Sequence, residues 1–153
     1  MRTLETRIPP PLVMMLLGAM AWTWAHYFPT LSFRLPFHTG MATAVAVAGL
    51  ALNGLPKVAF GRAGTTVNPL RPGAATHLVT SGVYRYSRNP MYLGQAVILF
   101  GWGIYLHNVL GFLAIPAFVL YISRLQIVPE ERHLLARFGD EYTRFCQQSP
   151  RWL

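Results

Sequence analysis

The stretch from Thr76 to Tyr92, THLVTSGVYRYSRNPMY, is polar, aromatic and basic, yet it lies between long apolar runs. Its last residues have a mechanical reading. Asn89 can cap a helix by accepting a hydrogen bond from a free backbone N–H, and Pro90 suits the first helical position, where no N–H is needed. The apolar run from Met91 would then turn its N–H-rich end toward this loop, which is a site for a carboxylate or phosphate. The same pattern also describes a capped membrane helix following a solvated loop.

Other chemistries find less support. Asp140 is the only aspartate, and the serines and histidines form no nucleophile-elbow pattern. His26, His38, His77, His107 and His133 show no metal-ligand spacing, so no metal is expected. Cys146 is a lone cysteine, which excludes an internal disulfide and reads as a packing residue. The net charge of +8 does not form a basic stripe or helix, so nucleic acid is not an expected partner.

The elements that would position the polar stretch are those of a membrane protein. Of the 153 residues 53% are hydrophobic and only 12% charged, against about a quarter charged in soluble domains. The length suits one domain, residues 1–153. Four spans are predicted, at about 12–28, 40–60, 91–106 and 109–128. Ala19-Met20-Ala21 resembles a signal cleavage site, but Trp22, Trp24, Tyr27 and Phe28 continue the first run as an interfacial aromatic belt. Gly49 and Gly54 are expected to allow close helix approach in the second span. The third and fourth spans, joined at His107-Asn108, form a helical hairpin, and Pro116 is expected to kink the fourth or free a carbonyl in it. Pro129-Glu130-Glu131 reads as the start of a new helix. Gly139-Asp140 would stop it and cap the next. Leu134, Leu135, Phe138, Tyr142, Phe145 and Cys146 make one amphipathic face, expected to fold back on the loop or the membrane surface, with Trp152 an interfacial anchor.

The ordered set of HLVTSGVY, RNPMY, the paired Glu130-Glu131, FGDEY and PRW resembles the isoprenylcysteine carboxyl methyltransferase family and its phospholipid methyltransferase-like relatives. These are integral membrane enzymes that use S-adenosylmethionine. The resemblance runs roughly from Phe60 to Trp152 and omits the first two spans. It implies an all-α membrane fold in which the cytoplasmic segments 61–90 and 129–153 form a cofactor pocket. It places Asn68, His77, Leu78, Val79, Tyr84, Asn89, Pro90, Met91 and Tyr92 around S-adenosylmethionine. Glu130, with Glu131 the near alternative, would meet the cofactor's ammonium. A reaction of this kind suits a chain with few acids, because methyl transfer to an ionised oxygen depends on positioning and desolvation rather than on a proton shuttle.

The chain departs from the family pattern in two places. Asn89 stands where well-known members have His between Arg and Pro. The family Arg that binds the substrate carboxylate falls on Gln126 by direct counting, with Arg124 two residues earlier as the candidate catalytic residue. Each assignment also has a structural counterpart. Tyr84, Tyr86 and Tyr92 suit an interfacial belt, Arg85 and Arg88 a cytoplasmic face, Glu130 and Glu131 a helix dipole, and Arg124 a snorkelling role.

The sequence therefore predicts methyl transfer to a lipophilic acceptor drawn from the membrane lipids, foremost the carboxylate of a prenylcysteine-like molecule. A phospholipid amine or thiol methyltransferase, a lipid reductase with a nicotinamide cofactor and a non-catalytic membrane scaffold are the alternatives. Basic residues concentrate at the N-terminus, in residues 61–89 and in the C-terminal tail. Both termini are thus expected in the cytoplasm and the protein in the inner or cytoplasmic membrane. A cysteine placed at Ala75 should react with an impermeant thiol reagent only after the cells are opened; ready labelling of intact cells would contradict the topology.

Overall fold

The structure, a computed structural model, describes residues 5–62 and 78–153, with the backbone alone for residues 59–62. The candidate cofactor residues Asn68 and His77 lie outside the described residues. Among those described the secondary structure is helical: α1 (Pro10–Tyr27), α2 (His38–Arg62), α3 (Pro90–Leu106), α4 (Ala114–Ile122), α5 (Val128–Phe138) and α6 (Asp140–Gln148). Short 3₁₀ turns occupy Pro29–Leu31, Gly82–Arg85 and Val109–Leu113, and a π-helical turn occupies Ser123–Ile127.

Two helical stretches are long and apolar enough to cross a bilayer, His38–Val58 of α2 and the 30-residue rod Val109–Phe138. The rod joins the last 3₁₀ turn, α4, the π turn and α5. At 1.5 Å per residue it reaches about 45 Å, longer than the roughly 30 Å hydrocarbon layer. Glu130, Glu131, Arg132 and Arg137 all lie in its last third, so this is the end that must leave the apolar layer. The third expected span, α3, is an apolar helix of 17 residues.

Several sequence expectations change here. Pro129 and the two glutamates lie in the first turn of α5, as expected, but no break in the helix precedes Pro129. The rod runs through it, and its geometry widens just before, where the Val128 N–H reaches the Ser123 carbonyl five residues back. The cause is Pro129 itself, which lacks an N–H and whose ring crowds the carbonyl four residues earlier, that of Leu125. That carbonyl instead accepts the Thr6 N–H at 3.0 Å. Pro116 falls in the first turn of α4, where an N–H is not required. Gly139, with φ of 50°, both ends α5 and precedes α6, so Asp140 is the first residue of α6 rather than its cap. Leu135 is 50% exposed and stands outside the amphipathic face.

The apolar core joins α1, α3 and the rod through Val13, Ala21, Ala96, Leu99, Phe118, Ile122 and Ile127. The α3–rod hairpin turns at His107, whose φ is 39°. Fully buried Asn108 secures it. Its Oδ1 accepts the Leu110 N–H, while its Nδ2 donates to the Phe28 carbonyl at 2.9 Å and to Ser32 Oγ at 3.1 Å. The connection between α1 and α2 is thereby fixed to the same corner.

α2 lies against α3 with backbone on backbone. A Cβ on Gly94 would come within 2.6 Å of the Gly49 carbonyl oxygen, and one on Gly49 within 2.7 Å of the Gly94 oxygen. Asn53 Nδ2 adds a hydrogen bond to the Met91 carbonyl at 3.0 Å. Gly54, expected to share this role, has nothing within 4 Å of the place a Cβ would take. The two glycines should therefore behave oppositely. Gly94→Ala should destabilise the protein by about 1–3 kcal/mol, because backbone cannot rotate out of the way. Gly54→Ala should be neutral or stabilising by up to about 1 kcal/mol through helix propensity. Thermal unfolding of both variants in detergent measures the difference.

Candidate functional site

The start of α3, the end of the rod and the C-terminal segment converge below the apolar core. Adjacent residues on a helix point about 100° apart, so Glu130 and Glu131 face different surroundings. Glu130 faces α3. Its Oε1 accepts the Tyr92 hydroxyl at 2.7 Å and a bond from Gln126 Nε2, one helical turn back. Tyr92 is 6% exposed and Gln126 2%. Tyr84, buried in the 3₁₀ turn Gly82–Arg85, is near enough to sense the same charge. Burial first, and the Glu130 carboxylate second, push its phenol well above the usual range. The result is a half-buried carboxylate among two phenols and an amide.

Glu131 faces the C-terminal segment and is committed elsewhere. Its Oε1 accepts from Arg88 Nη2 at 3.1 Å, and its Oε2 from Arg151 Nη2 at 2.6 Å. This hydrogen bonding raises the Arg151 pKa. Arg88 Nη1 also donates to the Cys146 and Ser149 carbonyls at 2.9 and 3.0 Å, and the Arg88 N–H to the Pro150 carbonyl at 2.9 Å. Ser149 Oγ donates to the Tyr84 carbonyl at 2.8 Å, and Trp152 Nε1 to Ser123 Oγ at 3.2 Å. Trp152 is thus partly buried against the core and the π turn, where an interfacial anchor was expected.

A second apolar cluster backs this clamp. Tyr84, Tyr142 and Phe145 are buried together, with Leu78, Val79, Val83, Leu134, Phe138 and Cys146 packed around them. Burial, followed by the Glu131 charge, raises the Tyr142 phenol. Leu78, Val79 and Tyr84 therefore do share one wall.

The remaining sequence candidates fall into distinct places. Pro90 is the buried first residue of α3, and the Met91 carbonyl serves the α2 contact. Asn89 occupies the cap position but does not cap with its side chain; its Nδ2 donates to the Arg151 carbonyl at 2.9 Å, and Ser87 Oγ accepts its N–H. Arg124 is exposed on the π turn, and the side chain that meets Glu130 from this part of the rod is Gln126. Gln126 was matched in the sequence to the family's substrate arginine, with no role beside Glu130, and Tyr142, Ser149 and Arg151 were given no place in the site. The i to i+4 spacing of Gln126 and Glu130 was the available signal for the first.

The sequence model of a family described as phospholipid methyltransferase matches residues 37–141. The chain belongs to that family. Over 73 residues, 48% of this chain, it is 32% identical to a protein-S-isoprenylcysteine O-methyltransferase of Schizosaccharomyces pombe, covering 31% of that protein. Over 93 residues, 61% of this chain, it is 30% identical to protein-S-isoprenylcysteine O-methyltransferase B of Arabidopsis thaliana, covering 47% of it. An uncharacterized protein of Haemophilus influenzae is 44% identical over 63 residues, 41% of this chain and all of that protein. The chain thus spans about a third to a half of the length of the two methyltransferases. With its apolar helices, membership of this family makes it a membrane protein.

The clamp makes a stability prediction. Arg88→Ala leaves the Cys146 and Ser149 carbonyls without their shared donor, while Glu131 keeps Arg151. The expected loss is about 1–3 kcal/mol, read as a fall in the denaturation midpoint. Arg151→Ala, at the exposed end of the same network, should cost less than about 1 kcal/mol.

Proposed function

We propose that this chain is an enzyme transferring a methyl group from S-adenosylmethionine to a lipophilic acceptor. The observation that supports it most is the division of labour between Glu130 and Glu131. Glu131 is neutralised by two arginines, whereas Glu130 is held by uncharged donors, both on Oε1. A half-buried carboxylate with no cation bonded to it among the described residues is suited to a ligand cation.

The residues fit the cofactor in kind. Glu130 would receive its ammonium, the apolar wall of Leu78, Val79 and Tyr84 would receive its flat base, and Tyr92 would keep the carboxylate aimed. The bound cofactor supplies an electrophilic methyl group on a sulfonium. The chain's own work is to orient that group, to exclude water by closing the C-terminal segment over the loop, and to leave the acceptor an approach from the bilayer. Four spans, with both termini and the site on the cytoplasmic side, belong to the same proposal. Asn68 and His77 would complete the cofactor's surroundings.

One observation bears on the acceptor. Where the carboxylate-binding arginine was expected, the buried residue is Gln126, and Arg124 is exposed. A guanidinium orients a carboxylate by two parallel hydrogen bonds; an amide already engaged with Glu130 cannot. This favours an amine or thiol acceptor over a prenylcysteine carboxylate.

Glu130→Gln should weaken binding of S-adenosylhomocysteine by about 1.5–3 kcal/mol in calorimetry, while Arg124→Lys should retain methyl transfer. Unchanged affinity in Glu130→Gln would remove that residue from the pocket. Loss of transfer in Arg124→Lys, with folding and cofactor binding intact, would restore the carboxylate acceptor. Binding of reduced nicotinamide dinucleotide in place of S-adenosylhomocysteine would identify a reductase, and binding of neither a scaffold.

A further inference from the structure

One polar group in α3 has no place in the network above. Gln95 is 3% exposed, and among the described residues its Oε1 has no hydrogen-bond partner. A carbonyl oxygen kept from water without a donor is unfavourable, and most acutely so in an apolar helix, where an aliphatic side chain would fill the same space without penalty.

Its position relates it to the site. Gln95 follows Tyr92 by three residues, so the two are neighbours on one helix face, and side chains on a helix lean toward its N-terminus, here toward Tyr92 and Glu130. Its Cα is about 4.5 Å further along α3, away from the polar loop. A water-soluble cofactor arrives from the loop side, and a lipid from the apolar side. The residue that carries the unpaired oxygen therefore stands one turn to the lipid's side of Tyr92.

We infer that Gln95 Oε1 is a contact for the methyl acceptor and accepts a hydrogen bond from an N–H or O–H that the acceptor carries beside its reacting atom. This rests on the methyl-transfer reading and narrows it. The acceptor is a lipid with a hydrogen-bond donor at the boundary between its headgroup and its chain.

The test uses the detergent-solubilised full chain, labelled S-adenosylmethionine and a total lipid extract. Gln95→Met removes the oxygen while keeping side-chain length, and Gln95→Glu keeps an accepting oxygen. Gln95→Met should fold at least as stably as the wild type and bind S-adenosylhomocysteine unchanged. It should need about tenfold more lipid for half-maximal labelling, the equivalent of one hydrogen bond of about 1.4 kcal/mol. Gln95→Glu should stay within about threefold of the wild type, a shift well short of that hydrogen bond. Wild-type lipid dependence in Gln95→Met overturns the inference alone, leaving the residue a structural one. Absence of labelling by the wild type overturns the methyl-transfer reading and this inference with it. Should Gln95→Met not fold, Gln95→Leu is judged by the same outcomes.

Discussion

Glu131 is the residue on which the polar half of the molecule depends. It lies between Arg88, just before α3, and Arg151, in the segment that follows α6. Both pairs are short, and Arg88 adds two carbonyls of the tail. One carboxylate thus fixes three separate chain segments relative to each other. Its solvation is largely replaced by guanidinium donors, so the arrangement satisfies the charge and the backbone acceptors together. Because Glu131 takes this role, its neighbour on the next position around the helix is left, among the described residues, with hydrogen bonds from uncharged partners.

The apolar half is held by a different physics. Hydrocarbon offers no hydrophobic force between helices, so contact must come from close fit. The Gly49–Gly94 approach brings two backbones together with no side chain between them, and Trp102 Nε1 closes on the Gly18 carbonyl at 2.9 Å. Asn108 performs the equivalent service at the far corner, satisfying a turn carbonyl and a turn N–H that lipid could not. Two regimes therefore meet at the Tyr92 level of α3, with rigid apolar packing on one side and charge-assisted bonds on the other.

Much of this was legible in the sequence. Apolar run lengths and their flanking prolines located α1, α2, α3 and the apolar part of the rod, because hydrophobicity and proline chemistry act locally. The order of the motifs pointed to the loop, α3 and the paired glutamates, and to the family. The roles within the site were not legible, since they depend on which neighbour competes for each group. Asn89 has the right type and position for a cap, yet the Arg151 carbonyl, 62 residues away in sequence, takes its side chain. Gly54 and Gly49 look alike in sequence, but only Gly49 lies on the line of approach to α3. Arg124 and Gln126 lie two residues apart, yet Arg124 is exposed and Gln126 is buried against Glu130, a difference that residue type alone does not announce.

That local winding sets a phase relation. The π turn holds one residue more than an α-helical turn would, which rotates everything after it by about 100° relative to α4. Glu130 meets Tyr92, and Glu131 meets the arginines, only at this phase. Loss of a single residue from Ser123–Ile127 would leave both glutamates and every apolar residue of α4 in the sequence while turning the pair away from their partners. For this segment, length is as strict a constraint as residue identity, and relatives that differ here by an insertion or deletion would need a different pair of side chains to build the same surroundings.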